Sequence, residues 1–435
     1  MTNTSPITIF WHRRDLRIED NAGLCQALSS AANVLPVFIF DTSILEHLED
    51  KDDARVSFIY ENVLRIKKEY EQHGGSLLIE IGRPIDVFKK LIKTYTIVDL
   101  HTNADYEPYA LQRDEEVKSL LNSFNIRFQT HKDHVVFEKN EILKKDGTPY
   151  TIFTPYMKVW KERLKNYPIT NFDSEKKLSL LYKCKPLPAP SLKEIGFEHS
   201  LLKIPSAAVT EKLIRSYHET RDYPSIQGTS RLGIHFRFGT ISIREKVKKA
   251  MVLNEIYLNE LIWREFYQMI IYQFPHSAQN SFKKKYDAIH WINNEEQFKR
   301  WCEGKTGYPI VDAGMRELNA TGHMHNRVRM IVASFLTKHL LIDWRWGETY
   351  FASKLLDYEL ASNVGGWQWA AGCGCDAAPY FRVFNPTLQA NKFDAKAVYI
   401  KKWVPEINTD SYPAPMVEHT FARNRVLTVF KKALA

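Results

Sequence analysis

In the run NELIWREFY, Glu260, Trp263, Arg264 and Tyr267 recur at i, i+3, i+4 and i+7. That spacing sets a carboxylate, an indole, a guanidinium and a phenol on one face of a helix. The set suits a flat, hydrogen-bonding ligand such as a nucleic-acid base. The indole stacks, the carboxylate accepts from an imide or amine, and the guanidinium reaches a phosphate. An amphipathic helix with a surface Glu–Arg pair would show the same spacing, so the neighbours decide. In HNRVRMIVASF, Asn326, Arg329 and Met330 share a second helical face, while Arg327 points elsewhere. Asn hydrogen-bonds the edge of a heterocycle, and Met packs adaptably against flat rings.

Residues 357–386, DYELASNVGGWQWAAGCGCDAAPYFRVFNP, are equally unlike a plain core segment. Asp357 is a candidate partner for a nearby arginine. Gly365 and Gly366 let a flat ligand approach the backbone. Trp367 and Trp369 flank Gln368 and, in extended backbone, face one side. Eight of the ten Trp follow residue 260. A Trp-rich helical core and an aromatic binding site both fit this stretch. In QGTSRLGIHFRFG, Thr229 and Ser230 open a short helix. Their hydroxyls and the adjoining N–H groups suit either a diphosphate or a simple N-cap.

The elements that must position these groups form two halves. A chain of 435 residues is long enough for two domains, each with its own core. Residues 1–205 hold 29 Lys and Arg against 29 Asp and Glu, so the net +9 falls wholly on residues 206–435. A basic half that also carries the Trp cluster points to nucleic acid. No apolar run reaches membrane-spanning length. The five Cys are scattered and lack metal-ligand spacing, so no metal site is expected. With no apolar signal segment near the start, the expected setting is the reduced cytoplasm.

Strand-like runs begin at 6, 33, 76, 95 and 126 and alternate with helical patterns at 54–72, 85–93 and 108–123. That order predicts a doubly wound parallel sheet over residues 1–132. No GxGxxG or GxxxxGK[ST] occurs, so the usual dinucleotide and nucleoside-triphosphate sites are not expected. Pro-rich residues 133–205 read as an interdomain connection. Residues 206–435 read as all-helical, with helices near 310–320, 325–339, 346–356 and 417–433.

Several runs, in order, resemble one family: FWHRRDLRIEDNAGL, RDYPSIQGTSRL, NELIWREFYQ, WCEGKTGYPIVDAGMREL, LIDWRWGETYF and LASNVGGWQWAAGCGCDAAPYFRVFNP. The chain is similar throughout to the photolyase/cryptochrome flavoproteins, and most to the bacterial class I photolyases that repair cyclobutane pyrimidine dimers. The resemblance implies an α/β N-terminal domain and an all-α domain holding FAD non-covalently, reduced in the active state. Tyr217, Thr229, Ser230, Arg231, Leu232 and Gly233 would hold its phosphates and ribose. Asp357 and Glu359 would bind its bent core, with Arg329 pairing with Asp357 and Asn363 beside the flavin N5. Tyr358 and Asn326 would also contact the cofactor. Glu260, Trp263, Tyr267, Asn326, Met330 and Trp369 would line the pocket for a flipped-out dimer in UV-damaged DNA. Arg221, Arg264, Arg327 and Arg382 would contact DNA phosphates. Trp367, Trp344 and Trp291 match the indole relay that photoreduces the flavin.

The resemblance also implies a monomer and leaves room for a second, antenna chromophore. Tyr109 and Ala110 stand where folate-binding members carry Asn-Glu, which argues against a folate antenna and leaves a deazaflavin or flavin open. His323 and Tyr257 stand where relatives carry Trp. Asn326 after His325 argues against a (6-4) photolyase, and the intact pocket set favours repair over cryptochrome-type signalling.

Overall fold

The computed structural model describes residues 5–30 and 33–435. Residues 1–4, at the start of the expected first domain, and Ala31 and Ala32 lie outside the described residues. The chain divides into two compact units, and both are discontinuous in sequence. The first comprises Met1–Glu141, Lys161–Ala207 and Leu232–Lys249. The second comprises Ile142–Trp160, Ala208–Arg231 and Ala250–Ala435. Residues 133–205 are therefore shared between the units.

The first unit holds a five-stranded parallel sheet of order β3-β2-β1-β4-β5. Its strands are β1 (Ile7–His12), β2 (Val34–Phe40), β3 (Leu78–Ile81), β4 (Ile97–Asn103) and β5 (Arg127–His131). The period-two alternation splits the apolar side chains between two faces. Phe10, Val34, Phe38 and Phe40 pack with helices α1 (Ala22–Ser30) and α2 (Ala54–Gln72). Ile7, Ile9, Trp11, Leu35, Val37 and Ile39 pack with α3 (Pro84–Thr94) and α4 (Pro108–Ser123). Pro36 is tolerated inside β2 because pairing with β3 begins only at Val37. α2 starts where Asp53 accepts from the Arg55 N–H at 2.8 Å. Pro84 and Pro108 open α3 and α4, where a missing N–H costs nothing.

The strand order reverses between β1 and β4, where open α/β sheets place ligands. Here the chain's own side chains fill that place. Asn103 donates to Asp15 at 2.6 Å and to Asn21 at 2.8 Å, and Arg14 reaches Asp105 at 3.2 Å. A separate cavity of about 400 Å³ lies beside β5, lined among others by His131, Phe137, Tyr167 and Phe172.

The second unit is helical among the described residues. The helices that matter are α5 (Glu255–Gln273), α6 (Glu295–Cys302), α7 (Pro309–Thr321), α8 (Asn326–Ser334), α9 (Trp344–Lys354), α10 (Leu360–Ala371) and α11 (His419–Leu434). The helix expected over 325–339 is α8 followed by a π-helical turn, Phe335–His339. Trp301, Phe335, Trp344 and Trp367 centre the core. Two glycines make the close helix packing possible. A Cβ at Gly347 of α9 would sit 2.1 Å from the Trp367 ring, and one at Gly365 of α10 would sit 2.3 Å from the Tyr267 ring.

Candidate FAD and substrate site

The second unit contains a cavity of about 390 Å³ between α5, α8, α9 and α10. α5 contributes Glu260, Trp263, Arg264 and Tyr267, the four residues of its polar-aromatic face. α8 contributes Asn326, Arg329 and Met330. Asp357, Tyr358 and Glu359 enter from the segment before α10, and Asn363, Trp367 and Trp369 from α10 itself. Arg221 also lines it. Trp367 and Trp369 do not share a side as extended backbone would place them. Both lie in α10, where two residues turn the helix by roughly 200°. Trp367 is buried in the core as well as bordering the cavity, whereas Trp369 is half-buried.

Most charges in the wall are paired. Arg329 donates to both carboxylate oxygens of Asp357, at 3.0 and 2.9 Å, and its Nε donates to the Met324 carbonyl at 2.7 Å. Arg264 donates to Glu359 at 2.7 Å, and the Ser362 hydroxyl donates to the other Glu359 oxygen at 3.2 Å. Arg221 donates to Glu260 at 2.6 Å and lies over the Tyr217 ring. The Trp263 indole is fixed by a face-to-face stack on Phe153, with centroids 3.8 Å apart.

Asn363 is oriented by a residue that motif reading passed over. Its amide nitrogen donates to the Glu348 carbonyl at 3.1 Å and to the Glu348 carboxylate at 2.9 Å. Burial pushes the Glu348 carboxyl up. Asn363 also lines the cavity, and with its N–H groups engaged its side-chain carbonyl is the group left to accept a hydrogen bond. Glu348 sits in ordinary helical context, where nothing in its spacing marks a role. Phe351, Leu355 and Ser362 were likewise not singled out and also line the cavity.

The remaining expected residues lie elsewhere. Tyr217 packs edge-on against Tyr257 at 5.1 Å. The Thr220 hydroxyl donates to the Gly228 carbonyl at 3.3 Å, which ties the start of the Thr229–Arg231 run to the Tyr217 helix. Arg231 adopts a left-handed φ of 51°. Leu232 and Gly233 belong to the first unit, where Gly233 opens a five-residue helix. Arg327 pairs with Asp222 at 2.6 Å, and its guanidinium lies 4.4 Å over Phe393. Arg382 is exposed.

Trp344 and Trp291 do not line the cavity: Trp344 is buried in the core and Trp291 packs against it. Trp367 presses on Gly347, one turn along α9 from Trp344. Ile292 N–H donates to the Leu341 carbonyl at 2.8 Å, and Asp343 N–H donates to the Asn293 side chain at 2.8 Å. These bonds clamp the Trp291 segment to the approach of Trp344. Asn293 and Leu341 both take left-handed φ, of 50° and 53°. For Leu this is strained backbone, held by its surroundings.

Residues 257–410 match the family described as the FAD-binding domain of DNA photolyase, and residues 8–178 match the DNA photolyase family. The chain belongs to the DNA photolyase family. It is 35% identical to a deoxyribodipyrimidine photo-lyase of Synechococcus, covering 98% of this chain and 97% of that protein. An archaeal photolyase of Sulfolobus tokodaii, whose crystal structure contains two FAD molecules, is 34% identical. It matches with a TM-score of 0.83 over 98% of this chain and 100% of that one. A class III photolyase of Agrobacterium tumefaciens matches at 30% identity with a TM-score of 0.86, covering 100% of this chain and 98% of that one. Both are photolyases over their full length, and the α/β unit and helical FAD-binding unit are those of this family.

Proposed function

We propose that the protein is a light-driven deoxyribodipyrimidine photo-lyase that binds FAD and a flipped-out cyclobutane dimer in the cavity of the second unit. One observation carries this reading. A single cavity joins the acid-indole-amide set Glu260, Trp263 and Asn326 to the flavin set Arg329, Asp357, Glu359 and Asn363. The residues fit a flavin. A Cβ at Gly366 would meet no atom within 4 Å, so the backbone there is open to a flat ring. The Asn363 carbonyl suits the N–H of a reduced isoalloxazine. Tyr217 and Thr229–Arg231 would hold the phosphates.

Reduced FAD, when bound and photoexcited, supplies the electron that opens the cyclobutane ring and accepts it back afterwards. The chain's part is positioning. Trp263, held against Phe153, and Trp369 give apolar walls to bases that have left the stack. Glu260 accepts a hydrogen bond from the N–H of a pyrimidine edge and so sets the dimer's orientation in the cavity. Arg221 holds Glu260 in place. Trp291, Trp344 and Trp367 form the relay that returns an oxidised flavin to its reduced state.

Exposed Arg382, and Arg327 through a half-exposed pair, lie where they can meet phosphate. The basic second half draws in DNA. A second, antenna chromophore belongs to this reading, since the first unit has a cavity of similar volume. We further propose a monomer in the cytoplasm. Among the described residues no helix is long and apolar enough to cross a membrane. The absorption spectrum of the purified protein tests the cofactor. FAD bands that leave with the small-molecule fraction on denaturation are expected. A colourless protein that takes up no added FAD contradicts the reading.

A further inference from the structure

The wall of the cavity is tied to the loop that carries Arg382. Asp376 lies six residues before Arg382, in the segment that follows α10. Its carboxylate accepts from the Phe153 backbone N–H at 3.0 Å, in the first turn of the helix Phe153–Asn166. Phe153 is buried, and its ring is the one stacked on Trp263. We propose that Asp376 and Phe153 are positioning residues for repair. They join the loop bearing Arg382 to the Trp263 indole, so that DNA held at the loop and a dimer in the cavity share one register. Both roles rest on the photolyase reading above.

Each link has a physical reason to be stiff. The first N–H groups of a helix have no partner within it, and a carboxylate there satisfies one and complements the helix dipole. Asp376 makes this bond from a left-handed φ of 40°, a conformation that costs energy for any residue but Gly. The Phe153 and Trp263 rings are 3.8 Å apart and inclined by only 9°, so Phe153 sets the plane of the indole. Phe266 meets both rings edge-on, at 5.9 and 5.5 Å. Gly374 and Cys375 of the same loop border a small space with Tyr267, which inclines on Trp263 at 5.4 Å. Two aromatic neighbours of the indole are thus in touch with this loop.

Trp263 is a wall for the flipped bases, so its plane decides how the dimer lies in the cavity. A misplacement of about 1 Å can cost on the order of a hundredfold in rate. A loosened indole therefore shows in the repair yield and in the preference for damaged DNA. The hold on undamaged DNA rests on phosphate contacts and is not touched.

Three variants test this, each checked for bound FAD and for its melting temperature. Phe153→Leu keeps an apolar side chain and removes the stack. Asp376→Gly keeps the left-handed backbone and removes the tether. Asp376→Asn keeps a side-chain acceptor and is the rescue variant. Affinities are titrated for an oligonucleotide with a cyclobutane thymine dimer and for its undamaged counterpart, and the quantum yield of repair is read on the first. Phe153→Leu and Asp376→Gly should each lower the preference for damaged DNA by about fivefold, the low end of what stacking one base is worth. The yield should fall with it, while affinity for undamaged DNA stays as in wild type. Asp376→Asn should restore both. The double variant Phe153→Leu/Asp376→Gly should lose no more than Phe153→Leu alone, because the tether acts through the ring. Additive losses, no rescue by Asp376→Asn, or wild-type preference and yield in Phe153→Leu overturn the link. Wild-type protein is illuminated alongside. No repair there defeats the photolyase reading, whereas wild-type repair with unmoved variants defeats only the link.

Discussion

Arg264 and Glu359 form an ion pair of 2.7 Å inside the cavity wall, with side chains 12% and 5% exposed. By spacing alone Arg264 is a candidate phosphate contact, but its guanidinium faces Glu359. Removing one member of a buried pair strands the other. Arg264→Ala is expected to cost about 3–5 kcal/mol of stability and to release FAD. Denaturant unfolding and flavin content after gel filtration check this. Wild-type values for both would place Arg264 outside the cofactor site.

Arg382 carries the opposite expectation. It is exposed, and the net +9 of the chain lies wholly in residues 206–435. Arg382→Ala should weaken DNA binding and lower the slope of log affinity against log salt by about one unit. Arg264→Ala should leave that slope unchanged in protein that retains FAD. Titrations at several salt concentrations distinguish the two, and an unmoved slope for Arg382→Ala would take it off the DNA.

Buried histidines weaken the fold in mild acid. Burial lowers His325 to about 4 and His339 to about 3, from an ordinary 6.5. The unfolded chain takes up protons below pH 6.5 while these folded imidazoles stay neutral. Stability is thus unaffected above pH 6.5 and falls between 6.5 and about 4, by roughly 3 kcal/mol for a group such as His325. The His325 side chain also caps α8 by accepting from the Arg327 N–H at 3.1 Å. His325→Asn keeps a cap and loses the titration, so thermal melts should show a shallower acid decline. An unchanged pH profile would rule out His325 as a source.

Glu260 is held by Arg221 at 2.6 Å, so it is set before substrate arrives. Glu260→Ala should lower the quantum yield of repair more than the affinity for damaged DNA, because Glu260 orients the dimer edge while other contacts carry most of the binding. Equal losses in both would make Glu260 a binding residue only.

The sheet was legible because short apolar runs set between helical patterns mark strands buried on both faces. Ile7, Ile9 and Trp11 against Phe10 mark a strand with two buried faces. The α5 face was legible for the same kind of reason, since helical spacing alone gathers Glu260, Trp263, Arg264 and Tyr267. Trp367 and Trp369 were misplaced because two adjacent glycines weaken a helical pattern. Their helix is made by packing, with Gly365 against Tyr267 and Trp367 against Gly347. Glu348 escaped notice because its partner Asn363 is fifteen residues away on another helix. The π-turn at Phe335–His339 also has no sequence period to announce it. Neither did the interleaving of the two units, which depends on long-range contacts.

The most direct measurement is repair itself. Chemically reduced, FAD-loaded protein is mixed with oligonucleotides carrying either a cyclobutane thymine dimer or a (6-4) product, then illuminated with blue light. Recovery of thymine absorbance is followed against dark controls. Asn326 donates and accepts hydrogen bonds but supplies no acidic proton of the kind a histidinium would. The account predicts light-dependent recovery from the cyclobutane dimer and none from the (6-4) product. No recovery from the cyclobutane dimer with FAD bound and reduced, or recovery from the (6-4) product, would contradict it.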